Sequence, residues 1–255
     1  MTIAIIPARM ESSRFPGKPL AMIHGIPMVG HCYFRAKMSE VVSEVFIATC
    51  NEEIRSYAET IGAKCVMTSV RHERATDRIA EAMLKIEQGT QIKHDVIVLV
   101  QGDEPMLHPK MLDSSVKALL SDSEINVVNG YAKIGSRDEF EDPNEVKVVI
   151  DSDKNALYFS REPIPSTKKW QGPESMYKQV CVMPFRRDYL LKFNSLPQTK
   201  LEKIESVDML RVLETGDKVK MVEFFHESHS VDTESDLSKV IKLMDGDSLM
   251  RTYIN

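Results

Sequence analysis

Residues 5–20, IIPARMESSRFPGKPL, place Arg9, Arg14 and Lys18 beside Ser12 and Ser13 directly after an apolar run. Cations and hydroxyls ahead of a Pro16-Gly17 turn make a donor-rich loop suited to a polyanion such as a phosphate chain. The spacing is not that of a Walker loop, which needs Gly five residues before the Gly-Lys pair and Ser or Thr after it. Ser12 and Pro19 occupy those places. No Gly-x-Gly-x-x-Gly stretch occurs either, so the sequence gives no support to a dinucleotide fold of that type. Position favours a site, because open α/β sheets bind ligands beyond the carboxyl ends of their strands. Backbone N–H groups around Gly17 are expected to add to the cations. A solvated basic turn is the alternative.

A second signal is VQGDEP at 100–105, where an apolar strand ends in Gly102-Asp103. A carboxylate beside phosphates repels them unless a cation lies between, and Mg²⁺ is the usual one, held by one or two carboxylates with phosphate oxygens and waters. The third is HSVDTESDL at 229–237, in which Asp232 can supply the second carboxylate. A loop-capping role for Asp103 and a helix-start role for Asp232 are the alternatives. His226 and His229 have HxxH spacing without further ligands nearby, which argues against zinc. No Gly-x-Ser-x-Gly or reactive-cysteine context points to a covalent nucleophile.

These groups need a scaffold, and the composition supplies the bounds. The chain has 255 residues, 42% apolar and 28% charged, with a formal net charge of -5. That length carries one large α/β domain, here 1–255, and the acidic balance argues against a general nucleic-acid affinity. The opening cations are therefore a local feature. With no signal-like opening and no membrane-length apolar run, a cytoplasmic protein without membrane association is expected. Cys32, Cys50, Cys65 and Cys181 lack CxxC spacing and read as reduced thiols.

Along the first hundred residues, strand-like runs (2–8, 44–49, 64–68, 95–100) alternate with helical stretches (27–39, 51–63, 76–89). This alternation predicts an α/β fold, a doubly wound, mostly parallel sheet. Asn51 is expected to cap its helix and Gly62 to end it. After residue 130 the texture changes. EVKVVIDSDKNALYFSR (145–161) predicts a hairpin, 176–185 a strand, and 200–216 a helix with Leu201, Ile204, Val207, Leu210 and Leu213 on one stripe. A strand at 218–225 and a helix at 233–244 complete the reading, with 166–175 as the mobile loop. The expected organisation is a small antiparallel subdomain at about 130–215 within the α/β fold.

Taken together, IIPARMESSRFPGKPL, GIPMVGH, ATDRIAEA, VQGDEP, DPNEVKVVID, ALYFSREPIP, LEKIESVDMLRVLETG and VDTESDL resemble the CMP-Kdo synthetases, the 3-deoxy-manno-octulosonate cytidylyltransferases, almost end to end. The resemblance implies a nucleotidyltransferase-like fold, CTP and a small acidic sugar as substrates, pyrophosphate and a CMP-sugar as products, Mg²⁺ dependence, a homodimer, and a place in lipopolysaccharide or capsule synthesis. Carried over by position, it implies that Arg9, Ser12, Arg14 and Lys18 bind the triphosphate, with Thr76, Arg78 and Gln101 on the cytidine side. Arg9, Lys18 and Asp103 would be catalytic, and Asp103 and Asp232 would hold the metal. Arg161, Gln179, Met183, Glu205 and Met209 would face the sugar, in the 130–215 subdomain that also dimerises.

Departures from the family pattern fall largely on the sugar side. Members carry Lys-His-x-Gly-x-Tyr where this chain has Lys178-Gln179-Val180-Cys181-Val182-Met183, and Glu-x-Leu-Glu-Gln-Leu-Arg where it has Glu205-Ser206-Val207-Asp208-Met209-Leu210-Arg211. Ser-Gly-Thr is replaced by Arg74-Ala75-Thr76, and Ala-Thr-Asp by Ala48-Thr49-Cys50. These changes predict an acceptor other than ordinary Kdo, with Kdo itself, bound through other contacts, as the alternative. A different nucleotide, UTP or GTP, and a binding protein without catalysis are the remaining rivals.

Overall fold

The structure is a computed structural model that describes residues 1–12, 14–168, 176–226 and 228–254. Most of the loop expected to be mobile, 169–175, lies outside the described residues. The chain divides into two compact units, Met1–Asp113 with His226–Asn255, and Ser114–Phe225. The second unit encloses the stretch at 130–215 expected to form a subdomain.

In chain order the first unit contains β1 (Thr2–Ala8), β2 (Met22–Ile23), β3 (Ile26–Pro27), α1 (Met28–Ala36), β4 (Glu44–Thr49), α2 (Glu52–Thr60), β5 (Lys64–Met67), α3 (Ala75–Thr90) and β6 (Val96–Val100). The division falls within α4 (Pro109–Leu120). The second unit continues with β7 (Val128–Lys133), α5 (Arg137–Glu141), β8 (Lys147–Ile150), β9 (Ala156–Ser160), β10 (Tyr177–Val180), β11 (Val182–Arg186), α6 (Arg187–Ser195), α7 (Lys200–Glu205), α8 (Met209–Glu214) and β12 (Lys220–Glu223). Helix α9 (Glu234–Met244) belongs to the first unit again.

Strands β6, β1, β4 and β5 lie side by side in that order, all parallel. Every residue of β1 and of β6 is buried, as parallel strands covered on both faces require. Strands β1 and β4 run in register to Ala8 opposite Thr49, so the loops that follow them leave from the same edge. A second cluster, Ile23, Met28, Met106, Val231, Val240, Met244 and Met250, packs with Phe15 and Leu237. Its methionines fill space between the opening loop, the segment after β6 and α9, so these pieces share one apolar support.

In the second unit the sheet order is β12-β7-β10-β8-β9, with β12 parallel to β7 and the other pairs antiparallel. The expected hairpin is β8–β9. Two expected elements are broken. The 176–185 strand is β10 and β11, separated at Cys181, and the 200–216 helix is α7 and α8. The second break is at Ser206, whose φ of 54° lies in the left-handed region. As a result Ile204 is exposed while Val207 and Leu210 are buried, so the apolar stripe does not lie on one straight helix.

Candidate active site

The opening loop is tied to itself. The Met10 carbonyl accepts from the Ser12 and Gly17 amides at 3.1 and 3.0 Å, and the Lys18 amide donates to Phe15 O at 3.3 Å. Ser12 Oγ accepts from the Phe15 amide at 3.3 Å. Gly17 has φ 76°, a left-handed conformation glycine adopts without steric cost, and it starts the short 3-10 turn Lys18–Leu20. The amides around Gly17 are thus engaged within the loop, and the expectation that they cradle an anion is not met here. Any anion must be held chiefly by side chains.

Asn51 fastens this loop from the β4 end. Its Oδ1 accepts from the Met10 amide at 3.1 Å and its Nδ2 donates to Glu11 Oε1 at 3.0 Å. The side chain expected to cap α2 makes no cap hydrogen bond. Sequence reasoning missed this role. The usable signal was topological, because the loops after two adjacent parallel strands emerge at one sheet edge.

Lys18 is the centre of the charged cluster. Its Nζ lies 2.7 Å from Asp103 Oδ2 and 3.3 Å from Asp232 Oδ1, and Arg14 Nη2 lies 2.9 Å from the same Asp232 oxygen. The side chains of Lys18, Asp103 and Asp232 are 13%, 26% and 19% exposed, so the cluster is shielded yet open on one side. Burial disfavours the Lys18 ammonium, but the two carboxylates outweigh it and raise its pKa above the usual lysine range. Backbone joins the two aspartates, since the Val231 amide donates to Asp103 O at 2.9 Å. Gly102 permits the approach of this segment to β1, because a Cβ there would sit 2.9 Å from Pro7 O. Asp232 does not cap α9. Thr233 Oγ1 accepts from the Asp236 amide, and Asp236 Oδ2 accepts from the Asp232 and Thr233 amides, which frees the Asp232 carboxylate for Lys18.

Arg9 follows β1 directly, is exposed, and donates from Nη1 to His72 O at 3.5 Å. Thr76 and Arg78 are buried in the first turn of α3. Arg78 donates to Thr68 Oγ1 at 2.5 Å and to the Ser69 and His72 carbonyls, so it organises the loop before α3. Gln101 is half-buried, one residue past β6.

The residues expected on the sugar side all belong to the second unit. Arg161 and Glu205 are brought together: Glu205 accepts from Tyr158 Oη, Ser160 Oγ and the Arg161 amide at 3.2, 2.9 and 2.8 Å, and Arg161 Nε donates to Glu205 O at 2.7 Å. Tyr158 and Ser160 alternate on β9, a period-two signal that was available in the hairpin. Gln179 Nε2 donates to Asn129 Oδ1 at 2.6 Å. Met183 and Met209 are buried, at 5% and 0% exposure. His226 meets His108 edge to face, with centroids 3.6 Å apart. Among the described residues no group of three or more His, Cys, Asp or Glu side chains is placed to hold a metal.

Comparison with known proteins fits this geometry. A family model described as cytidylyltransferase matches residues 3–221. A 3-deoxy-manno-octulosonate cytidylyltransferase of Geobacter metallireducens is 43% identical over 249 residues, covering 94% of this chain and 96% of that protein. The protein of the same name from Thermodesulfovibrio yellowstonii is 39% identical over 251 residues, 96% of this chain and 98% of its own. Among solved structures, CMP:2-keto-3-deoxy-manno-octonic acid synthetase complexed with CTP superposes with a TM-score of 0.86 at 36% identity, covering 95% of this chain and 98% of that one. A putative glucose-1-phosphate thymidylyltransferase from Bacillus anthracis, at 14% identity and a TM-score of 0.70, shares the fold. A match of this identity along nearly the whole chain makes it a nucleotidyltransferase that belongs to the 3-deoxy-manno-octulosonate cytidylyltransferase family.

Proposed function

We propose that the chain transfers the cytidylyl group of CTP to the anomeric hydroxyl of a ulosonic acid, Kdo or a Kdo-like acid, through the Lys18 cluster. The observation that carries the reading is the convergence of Asp103 and Asp232, from segments far apart in sequence, on one cationic point at the carboxyl ends of the parallel strands. The hydroxyl gives its proton to water, its oxygen forms a bond to the α-phosphorus, the bond from that phosphorus to the bridging oxygen breaks, and pyrophosphate leaves. Arg9, Arg14, Ser12 and Lys18 orient the triphosphate and neutralise its charge, the main demand of phosphoryl-type transfer. Thr76, Arg78 and Gln101 shape the cytidine side.

The donor set fits magnesium. Two hard carboxylates that already share a cation, with no third carboxylate, His or Cys grouped with them among the described residues, suit an ion that completes its shell from phosphate oxygens and water. Asp103 and Asp232 would hold it, and when bound it supplies charge neutralisation and a lowered pKa for a coordinated hydroxyl. A homodimer working in the cytoplasm, with no nucleic-acid or membrane partner, is part of the same reading. No helix among the described residues is long and apolar enough to cross a membrane.

Within this reading the altered sugar-side residues favour an acid other than ordinary Kdo, with Kdo bound through other contacts as the alternative. Met183 and Met209 offer no polar group, and the Gln179 amide donates to Asn129. Each unpaired hydroxyl of a sugar costs roughly 1–3 kcal/mol. Two such losses lower kcat/KM for Kdo by about 10²- to 10⁴-fold. Pyrophosphate release from CTP is measured across Kdo, 8-amino and deoxy analogues, in this chain and in Gln179→His/Met183→Tyr/Met209→Gln. The expected result is a faster Kdo reaction in the triple variant. Equal rates with Kdo overturn the altered acceptor, and no release with any acid despite CTP binding overturns the enzyme reading in favour of a binding protein. UTP in place of CTP tests the base.

A further inference from the structure

One carboxylate outside the chemistry above holds the loop between β5 and α3. Glu81 Oε2 accepts from the Ser69 amide at 2.9 Å and from His72 Nε2, and Glu81 Oε1 takes Lys85 Nζ at 2.7 Å. Lys85 Nζ also donates to Met67 O at 2.7 Å, at the end of β5. Glu81 and Lys85 are four residues apart on α3 and share a face. One turn earlier, Arg78 grips the same loop by Thr68, Ser69 and His72. The His72 carbonyl is the shared point, because it accepts from Arg78 Nη2 at 3.4 Å and from Arg9 Nη1 at 3.5 Å. Burial acts to raise the Glu81 pKa, but the Lys85, Ser69 and His72 hydrogen bonds outweigh it and bring it to about 2. The fastening carboxylate is therefore charged at every pH where such an enzyme works.

We propose that Glu81 is a positioning residue for nucleotide binding: by fixing His72 it places the carbonyl that aims the Arg9 guanidinium. The inference rests on the assignment of Arg9 to the triphosphate. Arg9 is exposed and long, so its unbound side chain samples many rotamers, and a fixed acceptor lowers the entropy lost when an anion is gripped. Glu81 binds the 68–72 loop and acts through it. A carboxylate that only stabilises the loop would affect stability without acting through Arg9.

The test is a double-mutant cycle in the full-length enzyme with Glu81→Gln, Arg9→Ala and the pair, read as KM for CTP and kcat, with circular dichroism as the folding control. Glu81→Gln is expected to raise KM for CTP about 10-fold, the scale of a displaced positioning group, with kcat changed by less than about 2-fold. In the Arg9→Ala background the same substitution is expected to change KM by less than about 2-fold. An unchanged KM in Glu81→Gln, or an equal rise in both backgrounds, overturns the proposal and leaves the Arg9 assignment standing. An Arg9→Ala enzyme with unchanged KM removes that assignment and the proposal with it. Should Glu81→Gln fail to fold, Lys85→Met, which keeps the carboxylate and removes one of its partners, must show a smaller rise that depends on Arg9 in the same way. Its absence overturns the proposal.

Discussion

At the residue scale, the charge balance around Lys18 accounts for acidic side chains inside the proposed triphosphate site. Lys18 and Arg14 face Asp103 and Asp232, so the cluster is nearly neutral before a triphosphate arrives. A triphosphate adds several negative charges, and two carboxylates make sense there only if a further cation enters with it. Asp103→Asn keeps the shape and an acceptor for Lys18 but removes a formal charge. Turnover is expected to fall about 100-fold or more, on the scale of losing a group that stabilises transition-state charge. The circular dichroism spectrum should be unchanged, because Asp103 is a partly exposed loop residue with little packing to lose. Pyrophosphate release at saturating CTP and limiting Mg²⁺ checks this, and near-normal turnover would remove Asp103 from the proposed metal site.

At the element scale, the break between α7 and α8 has an identifiable cause. Glu202 is fully buried and takes Arg211 Nε at 2.8 Å and Nη2 at 2.5 Å. In a straight helix residues nine apart lie about 13 Å from each other along the axis and on opposite faces, so the pair could not meet. The left-handed Ser206 turns the chain so that α8 brings Arg211 back to Glu202. Arg211 also donates to Phe193 O at 3.1 Å and lies over the Phe193 ring at 4.3 Å. Arg211→Met is therefore expected to destabilise the protein by about 3–5 kcal/mol, because Glu202 is left buried without its partner. Adding Glu202→Leu should recover much of that loss. Urea denaturation of the single and double variants measures both, and a single variant as stable as the parent would show that the pair does not hold the turn.

At the scale of the molecule, stability should depend on a histidine buried in neutral form. His31 Nε2 faces Ile23 O at 2.8 Å, and a carbonyl only accepts, so Nε2 carries the proton. His31 Nδ1 then accepts from Tyr253 Oη at 2.8 Å, and Tyr253 Oη accepts in turn from Arg35 Nε at 3.0 Å. Arg35 is buried, pairs with Asp247 at 2.6 Å and donates to Leu107 O at 3.3 Å, so the chain end is fastened to the segment that follows Asp103. Burial, with Arg35 nearby, lowers the His31 pKa to about 4. The unfolded chain takes up this proton near pH 6.5 and the folded chain does not until about pH 4, so stability falls as pH drops through that window. The loss from His31 approaches about 3 kcal/mol at the acid end. His108, lowered to about 4 by burial and then by His226, adds to the slope in the same direction. Thermal melts between pH 7 and 4 should show the decline, and His31→Gln should flatten it. A flat wild-type profile would rule out the neutral buried histidine.

How much of this was legible depends on where each signal resides. The parallel half was readable because buried parallel strands are continuous apolar runs, and β1, β4 and β6 lie close to where the pattern puts them. The residue types of the cationic opening loop and both aspartates were visible too, since a cationic loop, a carboxylate after a strand and a carboxylate before a helix are local features. Strand β7 was not. Asn129-Gly130 reads locally as a turn pair. It lies within the strand because Asn129 Nδ2 donates to Gly130 O and Val180 O, while Gly130 leaves room for Phe224, whose Cε2 lies 2.0 Å from where a Cβ would stand. Nor could sequence place Asp103 against Asp232, turn Asn51 from helix cap to loop clamp, or break the helix at Ser206. Periodicity is a property of a chain segment and determined the α/β class, while the local motifs and their resemblance to a known family indicated the kind of chemistry. The meeting of Lys18 with two carboxylates so far along the chain, like that of Arg211 with Glu202, depends on contacts that exist only once the backbone has closed on itself, and the tertiary structure alone decided them.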